Sequence, residues 1–78
     1  MIVTVRVFAG FAEALGASAA VVTLPDSATV ADLRAAIARL APSMPPRPLI
    51  AVNAQYASDD TQISAMDELA VIPPVAGG

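Results

Sequence analysis

The last apolar segment of the sequence most constrains the fold, because the residues after it fix how the chain must leave a sheet. Leu69 to Ile72 is an apolar run without polar alternation, which is typical of a central strand covered on both faces. Pro73 and Pro74 follow, and neither has an amide hydrogen to donate to a neighbouring strand. Residues 73–78 are therefore expected to project from the sheet as a stiff, extended tail.

The tail ends in the glycine pair Gly77 and Gly78. Because glycine has no Cβ, such a pair fits a channel too narrow for side chains and leaves the final carboxylate open to attack. A Gly-Gly pair alone is more typical of a frayed terminus. Its combination with an apolar strand and a proline stop is more specific, and we expect Gly78 to be the true end of the chain.

Length and charge restrict the class of protein. The 78 residues suffice for one small domain, with one layer of helix on one sheet. No stretch is long and apolar enough to span a bilayer, and Thr4 and Arg6 make the first residues unlike a secretory signal, so we expect a cytoplasmic protein without a membrane partner. The four basic residues are scattered and the net charge is -3, which argues against a nucleic-acid partner.

Several reactive residue types are missing from the sequence. Without Cys or His there is no thiol nucleophile, disulfide or imidazole base, and no bound cofactor or metal is expected. Asp59 and Asp60 form an adjacent carboxylate pair, but neighbouring loop residues need not converge on a ligand, so we interpret them as a solvated loop. Without lysine, the chain cannot serve as its own isopeptide acceptor.

The first half of the sequence predicts two strands separated by a short helix. Alternation over Ile2 to Phe8 predicts a strand whose valines, Val3, Val5 and Val7, face the core. Phe8, on the other face, either packs under a loop or belongs to an exposed apolar patch for a partner. Residues 9–15 predict one or two helical turns ended by Gly16 in the left-handed region, and residues 19–24 predict a second strand with Val22 and Leu24 in the core.

The main helix has a clear start signal and a clear stop. Thr29 is a predicted N-cap, with Asp32 completing a shortened capping box. The helix is predicted from Val30 to about Leu40 and ends before Pro42. Its predicted core stripe comprises Val30, Leu33, Ile37 and Leu40.

The second half predicts short strands joined by turns. The proline-rich residues 42–48 predict a stiff connecting loop, followed by a third strand over residues 49–52. Asn53-Ala54 is a predicted turn, and Tyr56-Ala57 a short edge piece. The complete order predicts an α+β fold of the β-grasp (ubiquitin-like) type, a single domain over residues 1–78. In this layout the first two strands are antiparallel, one main helix crosses one face, and the last strand runs parallel to the first at the centre.

The tail resembles the C-terminus of ubiquitin-like sulfur carriers. In detail, Asp67-Glu68 followed by residues 72–78 (Ile-Pro-Pro-Val-Ala-Gly-Gly) looks like the small subunit of molybdopterin synthase. The resemblance extends to Val52-Asn53 and more loosely to Phe8-Ala9 and residues 13–16. Ala65-Met66 stands where that family usually has Asp-Gly, which predicts a different turn geometry there.

The resemblance implies a sulfur donor that is not a catalyst on its own. An E1-like adenylating enzyme would use ATP to adenylate Gly78, and a sulfur donor protein would provide the sulfur of a thiocarboxylate. That sulfur would pass to a pterin precursor inside the molybdopterin synthase large subunit, forming the dithiolene that binds molybdenum. The residues expected to bind partners are Phe8, Pro73, Pro74, Val75, Ala76 and Gly77.

Three alternatives remain open at the level of sequence. The chain could be the sulfur carrier of thiamine thiazole synthesis or of another thiocarboxylate pathway, although Pro73-Pro74-Val75-Ala76 favours the molybdopterin branch. It could be a ubiquitin-like modifier that forms isopeptides with lysines of target proteins. It could also be a non-reactive β-grasp interaction module, for which loss of Gly78 alone would have no effect.

Overall fold

Five strands form one mixed sheet. The computed structural model describes residues 1–42 and 48–72, and its strands are β1 (Ile2–Val7), β2 (Ala19–Thr23), β3 (Leu49–Val52), β4 (Gln55–Tyr56) and β5 (Leu69–Ile72). Their order in the sheet is β2-β1-β5-β3-β4. β1 is antiparallel to β2 and parallel to β5, while β3 is antiparallel to both β4 and β5. The predicted central, parallel position of the last strand is confirmed.

β1 carries the alternating pattern that defines the two sides of the sheet. Val3, Val5 and Val7 are almost fully buried, while the intervening residues are exposed. Since side chains alternate along a strand, one side of the sheet faces the core and the other is open. We call this second side the open face. The predicted valine core face is therefore confirmed.

A short helix, α1 (Ala9–Leu15), follows β1 and ends as predicted. Gly16 has φ +71°, and its N–H donates to the carbonyl of Ala12 at 2.9 Å. A left-handed glycine is a common helix stop because it has no Cβ to clash. The strand prediction was one residue too long, since β1 ends at Val7 and Phe8 occupies the N-cap of α1.

The main helix, α2 (Val30–Leu40), has the predicted limits and the predicted cap. The Asp32 carboxylate accepts a hydrogen bond from the backbone N–H of Thr29 at 2.9 Å, as in a capping box. Leu33 and Ile37 are fully buried. The placement of Leu40 in the core was wrong, because it is 48% exposed. The buried stripe continues instead to Ala41, four residues after Ile37, whose N–H bonds to the Ile37 carbonyl.

A tight turn connects β3 and β4. Asn53 and Ala54 both have positive φ, 53° and 69°, as a two-residue hairpin loop between paired strands requires. The predicted turn is confirmed, but the edge strand is Gln55–Tyr56, one residue earlier than expected. The second strand likewise ends at Thr23, although Leu24 beyond it is buried as predicted.

β5 is central but is fully covered on only one side. Leu69 and Val71 are buried in the core, whereas Ala70 and Ile72, which point to the open face, are half-buried. The expectation of two covered faces was therefore wrong for the open face. Both helices contribute to one core on the opposite side, in which Phe11 of α1 and Leu33 of α2 are fully buried.

Two further loop predictions have different outcomes. Residues 43–47 of the predicted proline-rich loop lie outside the described residues. The turn at Ala65-Met66 has a geometry without positive φ at either residue, as its departure from Asp-Gly predicted.

Within the described part of the chain, neither helix has the length and apolar character needed to cross a membrane.

Candidate functional site

Three strands meet where the described part of the chain ends. In the parallel pair of β1 and β5, Val7 lies opposite Val71, so the next residues, Phe8 and Ile72, lie at the same end of the sheet. In the antiparallel pair of β3 and β5, Leu49 lies opposite Ile72. The tail residues begin immediately after Ile72. Val71 is thus paired on both sides, and Ile72, the last described residue before residues 73–78, is paired with Leu49.

Several exposed apolar side chains lie on the open face in the part of the sheet that contains Ile72. Phe8 is 47% exposed and Leu49 is 44% exposed, and both lie beside the half-buried Ile72. Tyr56, on the edge strand, is 68% exposed and pairs with Ala51 across β3. Several exposed large apolar side chains on one face of a sheet are typical of a protein-protein interaction site. We refer to Phe8, Leu49, Tyr56 and Ile72 as the exit patch.

The exposure of Phe8 decides between the two sequence-based interpretations of that residue. A phenylalanine packed under a loop would be largely buried, but nearly half of the Phe8 surface is accessible. Its backbone is extended, with φ -134° and ψ 161°, so it continues the alternation of β1 onto the open face. Phe8 therefore belongs to the exposed patch.

One pair of opposite charges lies on the open face near the patch. Nη1 of Arg6 is 4.0 Å from Oε1 of Glu68, and both side chains are about two-thirds exposed. Arg6 lies opposite Ala70 in the register of β1 and β5. An exposed pair at this distance contributes little to stability, typically about 0–1 kcal/mol. Its charges remain accessible to a partner that covers the open face.

A hydrogen-bond network holds the beginning of β5. Asn53 donates its backbone N–H to the Glu68 carbonyl at 2.7 Å, and its side-chain oxygen accepts the Glu68 N–H at 2.9 Å. The Asn53 amide also donates to the Asp67 carboxylate at 3.1 Å. These bonds connect the β3–β4 turn to the strand that carries the tail. They fix the register of β5 against β3, and hence the position of Ile72 beside Leu49.

Asp67 closes the turn that precedes β5. Its carboxylate accepts the Ser64 N–H at 2.8 Å, while its own N–H donates to the Ser64 carbonyl at 3.1 Å. The bond from the Ser64 N–H, followed by the bond from Asn53, lowers the pKa of Asp67 below its ordinary value of 3.8. The carboxylate is therefore held in its charged form, which is the form that accepts both bonds.

The adjacent carboxylates Asp59 and Asp60 have separate structural partners. Asp59 pairs with Arg34, which also donates from Nε to the Pro48 carbonyl at 3.2 Å. Asp60 accepts a hydrogen bond from the Ser58 hydroxyl at 2.7 Å. Among residues 1–42 and 48–72, no three potential ligands of the Asp, Glu, His or Cys types lie close enough together to hold a metal ion.

A groove of about 540 Å³ lies along the hairpin of β3 and β4. Its lining is neutral and mostly polar, and Tyr56 is its only titratable side chain. No charged group lines it to bind an ion or to transfer a proton near neutral pH. Its lining residues are Val52, Asn53, Gln55, Tyr56, Ala57, Ser58 and Thr61.

The structure separates the predicted site residues into two groups. Phe8 is described and exposed, whereas Pro73, Pro74, Val75, Ala76, Gly77 and Gly78 lie outside the described residues. Sequence reasoning did not identify Leu49, Ile72 or Tyr56 as surface contacts. Strand register could have identified Leu49 and Ile72. Once β5 is placed between β1 and β3, the alternation of side chains along the strands puts both residues on the open face.

Solved structures with the same fold cover the entire chain. The SAMP1 protein of Haloferax volcanii is 27% identical over 100% of both chains, with a TM-score of 0.80. A protein described as molybdopterin converting factor, subunit 1, from Pyrococcus furiosus is 29% identical, with a TM-score of 0.81 over 96% of this chain and 99% of that one. These similarities support the β-grasp, ubiquitin-like fold.

A more distant similarity concerns a protein complex. The structure of subunits 1 and 2 of the molybdopterin-converting factor from Helicobacter pylori matches with 21% identity and a TM-score of 0.58, over 100% of both chains. At this identity the match supports the fold alone.

The sequence profile of the ThiS family matches residues 5–78, from β1 through the terminal diglycine. The chain therefore belongs to the ThiS family of ubiquitin-like proteins.

Proposed function

We propose that this protein is the sulfur carrier subunit of molybdopterin synthase. Gly78 is adenylated, converted to a thiocarboxylate, and donates its sulfur to build the dithiolene of molybdopterin. The observation that carries the proposal is the position of β5 at the centre of the sheet, with the exit patch around its last residue. A rigid base with adjacent docking surface is what delivery of a terminal atom into another protein requires.

The activation chemistry must come from partner proteins. A free carboxylate is a poor electrophile, and the chain contains no Cys, His or Lys to assist it. In the proposed sequence, an E1-like enzyme uses ATP to form an acyl adenylate at Gly78, releasing pyrophosphate. Hydrosulfide provided by a donor protein then attacks the carbonyl carbon, the C–O bond to AMP breaks, and a thiocarboxylate remains at Gly78. The carrier binds no cofactor and is a donor, so it does not catalyse the reaction alone.

The exit patch provides the proposed docking surface for the large subunit. Phe8 and Leu49 present accessible apolar area close to Ile72, and a few side chains that become fully buried near the centre of an interface carry most of its binding energy. The net charge of -3 favours a partner whose pocket is basic, as expected for a pocket that also holds a phosphate-bearing pterin. Apolar contact then governs affinity, and charge governs the association rate.

The molybdopterin pathway is supported by two observations. The tail sequence Pro-Pro-Val-Ala-Gly-Gly resembles the molybdopterin branch more than the thiamine branch. The match to the Pyrococcus furiosus protein described as a molybdopterin converting factor subunit extends over nearly the full length of both chains. A thiamine thiazole sulfur carrier is the alternative within the same chemistry, and it would use the same Gly78 thiocarboxylate with a different acceptor.

A protein modifier is a second candidate function, favoured by the similarity to small archaeal modifier protein 1. In that role the adenylated Gly78 would be transferred to a lysine amine of a target protein. The two functions differ in their product. A modifier gives covalent conjugates of higher mass in cell extracts, whereas a dedicated sulfur carrier gives none and leaves a terminal thiocarboxylate.

Reconstitution with the host's activating enzyme, ATP, sulfur donor and large subunit tests the proposal. The wild-type chain is expected to support molybdopterin formation, and a chain that lacks Gly78 is expected to support none while retaining its thermal stability. Gly77→Val should fail in the same way because its branched Cβ obstructs a narrow channel. Normal molybdopterin formation by the chain that ends at Gly77 would contradict the carrier mechanism.

A further inference from the structure

The two edge strands of the sheet differ in length and regularity. β2 comprises five residues, Ala19–Thr23, and pairs with β1 residue by residue without a bulge. β4, at the other edge, comprises only Gln55–Tyr56. Proteins protect exposed sheet edges from unwanted pairing with very short strands, bulges, prolines or charged side chains. The short β4 has such protection, whereas β2 has neither a reduced length nor a bulge.

The sequence of β2 and its flanks also lacks charge and proline. Residues 14–24 contain neither, although the net charge of the chain is -3. The nearest charged residues along the sequence are Glu13 and Asp26. Uncharged segments of β-branched and small residues pair readily with other strands when they form an exposed edge. All four kinds of edge protection are therefore missing from β2.

Every second residue of β2 directs its backbone N–H and carbonyl groups away from β1. At the two ends of this strand pair, the Val7 N–H donates to the Ser18 carbonyl at 3.0 Å, and the Leu24 N–H donates to the Met1 carbonyl at 2.9 Å. In an antiparallel pair, residues bonded to the neighbouring strand alternate with residues whose groups point outward. No second strand in the described part of the chain pairs with β2. The outward residues are Ala19, Val21 and Thr23.

We propose that β2 pairs with β2 of a second copy of this chain, antiparallel and around a twofold axis at Val21. This inference is independent of the chemistry proposed for Gly78. In this register Val21 lies opposite Val21 of the second copy, and Ala19 lies opposite Thr23 of the second copy. Each opposed pair exchanges two N–H···O bonds, which gives about six hydrogen bonds across the axis. The sheets of the two copies then form one continuous sheet.

The side chains on the open face suit this register. Val21 is 68% exposed, and Ile2, its diagonal neighbour on β1, is 64% exposed. The twofold axis keeps the open faces of both copies on the same side, so Ile2 and Val21 of one copy continue into Val21 and Ile2 of the other. β-Branched side chains pack well against cross-strand neighbours. The pairing therefore covers apolar surface and brings no like charges into opposition.

Charge favours a second copy over a charged partner at this edge. β2 has no acidic or basic side chain, and the neighbouring open-face residues Ile2 and Thr4 are also uncharged. A neutral, apolar strand is complementary to another neutral, apolar strand, and β2 itself is such a strand. Because each copy has a net charge of -3, the copies repel at longer range, so added salt should strengthen their association. Salt would weaken the binding of a basic partner.

The size of the contact sets its strength. A five-residue strand with two exposed aliphatic side chains per copy buries less than the roughly 1,200 Å² of a standard stable interface. We therefore expect a reversible dimer that is populated at about 1 mM and dissociated at about 20 µM. β1 and β5 separate β2 from β3 in the sheet, so the pairing leaves Leu49 of the exit patch accessible.

Sedimentation velocity from about 20 µM to about 1 mM, in low and high salt, tests the pairing on wild type, Val21→Lys and Gln55→Lys. Gln55 is the matched control, because it is exposed on the opposite edge strand and its substitution changes the net charge equally. Wild type and Gln55→Lys should dimerise with concentration, and more so in high salt. Val21→Lys should remain monomeric, since two lysines would oppose each other across the axis.

Amide hydrogen exchange of the wild-type chain locates the contact. Between about 20 µM and 1 mM, exchange should slow about twofold or more at Ala19, Val21 and Thr23, and should not change at Val22, whose N–H already faces β1. A wild-type chain that stays monomeric at about 1 mM in high salt would overturn the inference and leave this edge to a strand of another protein. Equal dimerisation of the two lysine variants, or dimerisation without slower exchange at the outward amides, would also overturn it.

Discussion

Leu49 and Ile72 lie opposite each other across β3 and β5, at the last position of β5 before the tail. Both point to the open face, where Leu49 is 44% exposed. The pairing places an accessible apolar side chain at the exit of the tail. We expect a partner that receives the tail to cover Leu49, and this contact can be tested separately from the chemistry at Gly78.

Leu49→Asp is expected to weaken binding to the molybdopterin synthase large subunit about tenfold or more, because the partner would bury an unpaired charge. Titration calorimetry measures the affinity, and a thermal melt verifies the fold. Val21→Asp is the matched control, since Val21 is 68% exposed on the same face but lies on β2, away from the exit patch. Equal affinities for wild type and Leu49→Asp would show that the exit patch is not part of the interface.

Two leucines of α2 provide a matched pair for the core. Leu33→Ala is expected to reduce the free energy of unfolding by about 2–5 kcal/mol, because the fully buried side chain leaves a cavity. Leu40→Ala should cost only about 1 kcal/mol or less, since Leu40 is nearly half exposed. Urea denaturation measures both. Similar losses for the two variants would mean that Leu40 contributes to the core after all.

Ala54→Gly is expected to stabilise the protein by about 0.5–1 kcal/mol. Ala54 has φ +69° in the hairpin turn, a conformation that strains a residue with a Cβ and suits glycine. Ala35→Gly is the control, because Ala35 is exposed within α2, where the same substitution should cost about 1 kcal/mol. Opposite shifts in the melting temperature are the expected result. A loss of stability in Ala54→Gly would contradict the strained-turn interpretation.

The acid stability of the protein should depend on Asp67. Its folded-state pKa is lowered by the bond from the Ser64 N–H, so the carboxylate stabilises the fold fully above its ordinary pKa of 3.8. This contribution is lost as the pH falls through the lower folded-state value. Asp67→Asn should therefore be less stable than wild type above about pH 4, with the difference shrinking in more acidic solution.

Thermal melts of wild type and Asp67→Asn between neutral and strongly acidic pH measure this dependence. Glu13→Gln is the control, since it removes one exposed carboxylate from the α1 helix without affecting the turn before β5. A constant difference between Asp67→Asn and wild type at every pH would show that the charge of Asp67 has no part in holding that turn.

Local signals in the sequence predicted much of the fold. The capping box of Thr29 and Asp32 and the left-handed stop at Gly16 depend on residues within one helical turn of each other, so sequence alone specifies them. The alternation of valines in β1 likewise reports a single buried face. These patterns are physically local, and the structure reproduces them with shifts of at most one residue at strand ends.

Non-local packing was not predictable from the sequence. Phe11, in a seven-residue helix too short for a reliable periodicity, is among the largest fully buried side chains. Leu40 follows the helical period but lies beside the buried stripe, which ends at Ala41. The Asn53 bonds to Asp67 and Glu68 join residues 14 and 15 positions apart, and no local pattern reports such a contact. The exit patch could not be predicted either, because its residues come together only through the order of the strands in the sheet.

Sulfur transfer as proposed requires that Gly78 carries the sulfur as a terminal thiocarboxylate. Intact mass spectrometry of the protein isolated from its native host tests this most directly, because it reports the chemical state of the C-terminus without assuming any partner. We expect a population with sulfur in place of one oxygen, localised by fragmentation to Gly78, and the loss of this population in cells that lack the activating enzyme. An unmodified carboxylate under conditions of active molybdenum cofactor synthesis would contradict it.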